Sequence, residues 1–262
     1  MTAKTSSVSQ IAMHFFTALF ALCSTFAAAQ NSTKSLNKTS VQELKNQKMT
    51  AVITRYEVKK EFQEKFQKAL SGYVLESLSK DSNIMSEAYF EQDNQTVIWL
   101  FERWTNQNEF NKFKTNSKAK AINTLEKTAL VKPEKVIYVQ DLEPLSKQEW
   151  RKTSKTEDKQ LTIMLFVDAK PGTEENFKNV YHTAMPQFRS EPGVVTYQLS
   201  QLNDDSTQFV TFEKFRSNDA FQYHLNFPPI QPVIDYLNTS IKKQPFQDGI
   251  HNLIEFAPLT RE

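Results

Sequence analysis

The feature that most limits what this chain can fold into is a repeat. Phe101-Glu102-Arg103-Trp104 recurs as Phe212-Glu213-Lys214-Phe215, an offset of 111 residues (213 − 102). The same offset carries Lys59 onto Lys170, Glu64 onto Glu175, Phe66 onto Phe177, Asp93 onto Asp204, Thr96 onto Thr207 and Phe110 onto Phe221, with no gap between Lys59 and Phe110. The matches fall on a helix face, a hairpin turn and a strand end. A repeat this long is a duplicated domain, since each copy can hold its own core. Function is then to be sought within one copy, and in how the copies differ.

Residues 1–29 read as a segment outside the fold. Lys4 gives a weakly positive start, Ile11 to Phe26 is mostly apolar, and Ala27-Ala28-Ala29 precede Gln30. This is the pattern of a cleaved secretory signal peptide, and the run is short for a bilayer span of about 20 apolar residues. A lipoprotein would use Cys23, but bulky Leu22 precedes it. The expected location is the periplasm or the exterior. Cleavage would remove the sole cysteine, leaving no disulfide, thiol nucleophile or cysteine metal site. Residues 30–48 are polar and read as a flexible tether. Asn31-Ser-Thr and Asn37-Lys-Thr fit a glycosylation acceptor, which matters only in a eukaryotic host. The net charge is +2, with lysines and glutamates interspersed. Without a concentrated basic face, nucleic-acid binding is not expected.

The first copy spans 49–144. Ala51 to Val58 reads as a strand, and Glu61 to Lys80 as an amphipathic helix carrying Phe62, Phe66, Leu70, Tyr73 and Leu78. Ile84 to Glu91 and Thr96 to Trp104 read as a hairpin across Gln92-Asp93-Asn94-Gln95. Thr105-Asn106 offers a cap for one helical region to about Thr128, and Glu134 to Gln140 reads as a last strand. Residues 145–159 are charged and polar and read as a linker. The second copy, 160–262, repeats the order: strand Leu161 to Asp168, helix Thr173 to Arg189 stopped by Glu191-Pro192-Gly193, and a hairpin of Val194 to Leu202 with Thr207 to Phe215. A helix capped by Ser217 and broken at Pro228-Pro229 follows, then a strand near Ile250 to Phe256.

Two βαββαβ units make an α+β protein of tandem ferredoxin-like repeats. Each sheet has one face under helices and one bare. In Val97 to Trp104 both alternating sets are bulky, and a strand apolar on both sides is buried on both. We therefore expect the two sheets to pack on each other within one chain, an intrachain dimeric α-β barrel that needs no further oligomer.

A strand ending Phe-Glu-Arg-Trp, a capped helix with an aromatic six residues on (Phe110), and Ser190-Glu191-Pro192-Gly193-Val194 between a helix and a strand resemble the antibiotic biosynthesis monooxygenase (ABM) domain of the dimeric α-β barrel superfamily. Lys170-Pro171-Gly172-Thr173-Glu174-Glu175 and His224 before Pro228-Pro229 extend the likeness in copy two. The resemblance covers about 49–144 and 160–258. It implies an oxygenase with no metal, flavin or haem, oxidising an anthrone, hydroquinone or similar aromatic with O2. The protein would bind a flat ring, accept a proton and stabilise the oxyanion. Haem-degrading relatives carry a Trp in the second helix and a downstream His. Here Phe110-Asn111-Lys112-Phe113 and Phe221-Gln222-Tyr223-His224 lack that Trp, and no histidine follows at Ala121-Ile122-Asn123 or Pro232-Val233-Ile234.

Several residues then carry two readings each. His224 is the candidate base, since imidazole titrates near neutrality; the other reading is a pocket-wall histidine. Phe113 stands at its place in copy one. Trp104 either positions substrate through its indole N–H or packs a core, and Phe215 replaces it in copy two. Glu102 and Glu213 are bases or structural hydrogen-bond acceptors. Tyr197, Phe215 and Tyr223 would shape the wall of the substrate site. His182 and His251 are scattered and do not suggest a metal site. Two functions remain open: an exported monooxygenase-like protein with its pocket in copy two, or a non-catalytic small-ligand or scaffold protein of degenerate ABM domains.

Overall fold

The computed structural model describes residues 48–258. The expected signal peptide and all of the tether but Lys48 lie outside the described residues. The order is β1 (Thr50–Glu57), α1 (Gln63–Leu78), β2 (Asn83–Glu91), β3 (Val97–Trp104), α2 (Gln107–Phe113), α3 (Ser117–Ala129), β4 (Lys135–Leu142), α4 (Lys147–Trp150), β5 (Leu161–Asp168), α5 (Glu174–Ser190), β6 (Val194–Leu202), β7 (Gln208–Phe215), α6 (Asn218–Asn226), α7 (Gln231–Thr239) and β8 (Ile250–Ala257). One difference from the sequence reading lies in copy one, where the single helical region is two helices. Asn106 caps α2 by accepting from the Glu109 N–H, and Asn116 caps α3 by accepting from the Ala119 N–H. A second Asx cap inside a helical stretch restarts the helix on a new axis.

The eight strands close a barrel in the order β1-β3-β2-β8-β5-β7-β6-β4. The bare faces are covered as expected, and the closure is made by exchange. β4 pairs with its own β1 and with β6 of the other copy, and β8 pairs with β5 and with β2. Among the described residues no sheet edge is left open, which removes the usual hazard of unpaired strands. Helices cover most of the outside, leaving Val136 and Tyr138 of β4 and Ile254 of β8 exposed. All eight residues of β3 are buried. Val97, Trp99 and Phe101 face a shared interior with Met164, Val210, Phe212 and Leu253. Ile98, Leu100 and Trp104 face α1 to α3.

The register makes the copies superimposable. Ile53 faces Ile137, and Met164, 111 residues on from Ile53, faces His251. At the mouth where β3 and β7 end, the inward Arg103 and Lys214 are therefore equivalent, and so are Asp141 and Glu255. Arg103 holds Asp141 with two bonds, Nε–Oδ2 3.1 Å and Nη2–Oδ1 2.9 Å. Lys214 Nζ lies 2.6 Å from Glu87 and 3.4 Å from Glu255. Arg103, Asp141, Lys214 and Glu87 are buried and Glu255 is half-buried, so each cation needs its carboxylate.

The linker read at 145–159 has internal order. Ser146 and Glu149 form a capping box on α4, and this turn drops Trp150 onto the same mouth. Its ring lies 4.6 Å under the Arg103 guanidinium and 6.0 Å from Phe212. Gly193 has a packing role as well: a Cβ there would lie 2.3 Å from Cβ of Ala220 in α6.

Candidate functional site

In each copy a glutamate near the end of the third strand points outward, beneath the helices. In copy one, Glu102 accepts from Tyr73 Oη at 3.0 and 3.2 Å and from Trp104 Nε1 at 3.2 Å. Burial pushes this carboxyl up, while nearby Lys114 and the two hydrogen bonds pull it back in part. Phe113, at the place of His224, packs on Trp104 and Tyr73 with ring centroids 4.7 and 5.1 Å away. Trp104 thus spends its indole N–H on Glu102 inside an aromatic core.

Copy two keeps the glutamate and changes everything around it. The offset puts Ala184 at the place of Tyr73, Phe215 at that of Trp104 and Tyr197 at that of Ser86. Glu213 now accepts from Thr211 Oγ1 at 2.7 Å, with the Tyr197 side chain beside it lowering its carboxyl and the Tyr181 ring 6.5 Å from that of Tyr197. Tyr197 and Glu213 are cross-strand partners, so the hairpin itself sets this contact. Burial raises the Glu213 carboxyl to about 7, against the pull of Thr211 and Tyr197.

Beside it lies a second acid. Glu191, where α5 stops, places Oε1 2.7 Å from Nδ1 of His224, and both side chains are buried. Its other oxygen, Oε2, is buried with no hydrogen-bond partner, which makes ionisation costly. Burial, with the charge of Glu213 adding to it, raises Glu191 to about 7. Burial lowers the His224 imidazole to about 4. Between those values the protonated carboxyl donates to a neutral ring. Above about 7 the carboxylate accepts from Nδ1–H, and Nε2 is the basic nitrogen. Phe188, Tyr197 and Phe215 surround the ring at 4.7, 5.3 and 5.2 Å.

The structure thus brings together His224, Tyr197, Phe215 and Glu213. It separates Trp104 and Glu102, which make their own cluster in copy one. Tyr223 is 53% exposed and stacks on Phe227 at 5.7 Å, turned away from His224. Glu191, Tyr181 and Thr211 were not singled out from sequence. Glu191 reads as part of a helix stop, and Tyr181 as one apolar residue of a helix face. Tyr181, though buried, lines with Met185 and Leu199 the deep side of a cavity of about 510 Å³ that Glu143, Lys178 and His182 also line. Among the described residues no group of three metal-ligating side chains occurs, and no helix is long and apolar enough to cross a membrane.

Comparison with known proteins agrees with the repeat. The profile of the family described as antibiotic biosynthesis monooxygenase matches residues 49–125 and 161–234. A candidate monooxygenase of Lactobacillus acidophilus is similar in fold, with a TM-score of 0.66, 14% identity, and coverage of 80% of this chain and 94% of that one. One of Fusobacterium nucleatum gives 0.64, 14%, 82% and 100%. An anthrone oxidase-like protein gives 0.54, 8%, 80% and 92%. An uncharacterized protein of Synechocystis sp. is 28% identical over 79 residues, 30% of this chain and 49% of that protein. The chain spans about half the length of this curated relative.

Proposed function

The chain belongs to the antibiotic biosynthesis monooxygenase family, and from that premise we propose that it is a cofactor-independent oxygenase for an anthrone, quinol or similar aromatic, worked by copy two. One observation carries this reading. Copy two sets two buried carboxyls, Glu213 opposite Tyr197 and Glu191 on His224, and burial raises both to about 7. A general base is most effective when its pKa lies near the working pH. Copy one instead ties Glu102 to Tyr73 and Trp104.

In this mechanism the aromatic lies against Tyr181, Met185 and Leu199. Its acidic proton passes along Tyr181 and Tyr197 to the Glu213 carboxylate, each hydroxyl taking one proton and giving one. The substrate anion passes an electron to O2, and the radical pair combines into a C–O bond. For an anthrone, loss of water from the hydroperoxide gives the quinone: one oxygen atom stays in the product and the other leaves in water. Glu191 and His224 hold a second proton store beside the relay. The likeness in fold to an anthrone oxidase-like protein supports this substrate class. The apolar run Ile11 to Phe26 followed by Ala27-Ala28-Ala29 supports placing the reaction outside the cytoplasm.

A second reading, a non-catalytic small-ligand protein, is favoured by the depth of the cluster, where His224, Phe215 and Tyr197 are 1%, 0% and 2% exposed. Oxygen uptake with a panel of anthrones and hydroquinones, run from pH 5 to 9 without added cofactor, separates the two. The oxygenase gives a rate that rises through about pH 7 and falls in Tyr197→Phe. A trace at the spontaneous background throughout would refute it.

A further inference from the structure

The mouth of the barrel opposite Trp150 holds groups that the proposed reaction does not use. Here β3 and β7 begin, and a cavity of about 370 Å³ opens between the two copies, within the range of about 300–1,000 Å³ usual for small-molecule sites. Three rings meet in it: Trp99 to Phe166 at 6.0 Å, Trp99 to His251 at 5.4 Å, and Phe166 to His251 at 5.7 Å. One carboxylate orients two of them. Glu91 Oε2 accepts from the Trp99 indole N–H at 2.7 Å, and its two oxygens lie 2.9 and 3.1 Å from His251 Nδ1. Burial pushes this carboxyl up, but the bonds from His251 and Trp99 outweigh it and leave Glu91 below its ordinary value. With Nδ1 given to Glu91, Nε2 is the ring nitrogen left for a ligand.

The fold does not require this set. The repeat places Leu202 opposite Glu91, Val210 opposite Trp99 and Ile137 opposite His251 across the pseudo-twofold axis. All three alternatives are apolar and buried, so the barrel closes well without the polar groups on its other half. The wall carries three cations, Arg55, Lys135 and Lys243, against two acids, Asp168 and Asp248. Arg55 lies 5.6 Å from the Trp99 ring centre, and Lys135 and Lys243 stand at the rim. Asp168 is engaged by Lys242 at 2.8 Å, nearby Glu57 by Arg55 and Lys132, and Asp248 stands on the same wall as Lys243.

We propose that this mouth is a second ligand site, separate from the relay in copy two, for a flat aromatic carboxylate. The ring lies against Trp99 and Phe166. The carboxylate meets Nε2 of His251, with Arg55 and Lys243 adding charge. His251 then bridges two carboxylates, Glu91 through Nδ1 and the ligand through Nε2.

Isothermal titration of the whole chain with 2-naphthoate, and with neutral 2-naphthamide of the same shape, tests this. The site predicts saturable one-to-one binding of the naphthoate and affinity about tenfold lower for the amide, the worth of one charge-assisted contact. His251→Gln and Lys243→Glu should each cost about tenfold as well. Lys243 is an exposed rim residue, so its variant keeps the test open should His251→Gln unfold. Glu213→Gln should bind as wild type, which separates this site from the proposed reaction. No saturable binding, equal affinity for the amide, or unchanged binding in Lys243→Glu with folded His251→Gln also binding normally would overturn the proposal.

Discussion

Removing the charge of Glu213 should make the protein more stable above neutral pH and less dependent on pH below it. The carboxyl is buried, and burial raises it from 4.5 to about 7. A shift of about 2.5 units is worth about 3 kcal/mol, since one unit is about 1.4 kcal/mol. The sign follows from proton binding. Between pH 4.5 and 7 the folded state keeps this proton and the unfolded state has lost it, so stability falls as pH rises through that window. Glu191, also raised to about 7, acts in the same sense. His224, lowered to about 4, acts in the opposite one: its neutral form stabilises above pH 6.5, and this is lost as pH falls towards 4. The difference between variant and wild type reads Glu213 together with the part of the Glu191 shift that the Glu213 charge adds. Glutamine keeps a hydrogen-bonding amide where the protonated carboxyl stood. Urea denaturation of both proteins at half-unit steps from pH 4.5 to 8.5 should show Glu213→Gln gaining on wild type by up to about 3 kcal/mol across the window and holding that gain above it. A difference that does not change with pH would refute the assignment of a proton to Glu213 at neutrality.

Other perturbations have outcomes as definite. Arg103→Met strands Asp141, whose side chain is fully buried, and should cost about 3–5 kcal/mol in chemical denaturation; the double variant with Asp141→Leu should recover much of it. Trp150→Ala removes the ring that closes one barrel mouth and should cost about 3–5 kcal/mol. The same loss should shift the near-ultraviolet circular dichroism of the barrel interior. Glu102→Gln should retain its hydrogen bonds to Tyr73 or Trp104 only in part, and should leave any oxygen uptake within about twofold of wild type, because copy one holds that glutamate for structure.

Much of the fold was legible because the repeat and the alternation agree. Leu161 to Asp168 and Val194 to Leu202 are read from β-branched and aromatic runs and occur with those bounds. The double burial of Val97 to Trp104 follows from two bulky faces on one strand. The exchange of β4 and β8 between copies was not legible, since a register between distant strands leaves no local mark. Trp150 was missed because one apolar residue among charged neighbours carries no period. In the site, His224 and Glu213 stood out by residue type. Tyr197 opposite Glu213 follows from the hairpin turn at Asn203 to Ser206, once its register is known. Glu191 lies 33 residues before His224, and their meeting depends on how α5 ends against α6. The stop signal that bends the chain there is also what carries the carboxylate to the imidazole.

The most direct test of the account measures oxygen uptake with an anthrone at pH 7.5 for wild type, Glu213→Gln and Glu102→Gln side by side. Loss of a general base in copy two predicts a fall of about 10²-fold or more in Glu213→Gln, with Glu102→Gln near wild type. Equal rates in the two variants, or a fall confined to Glu102→Gln, would contradict the claim that copy two does the chemistry.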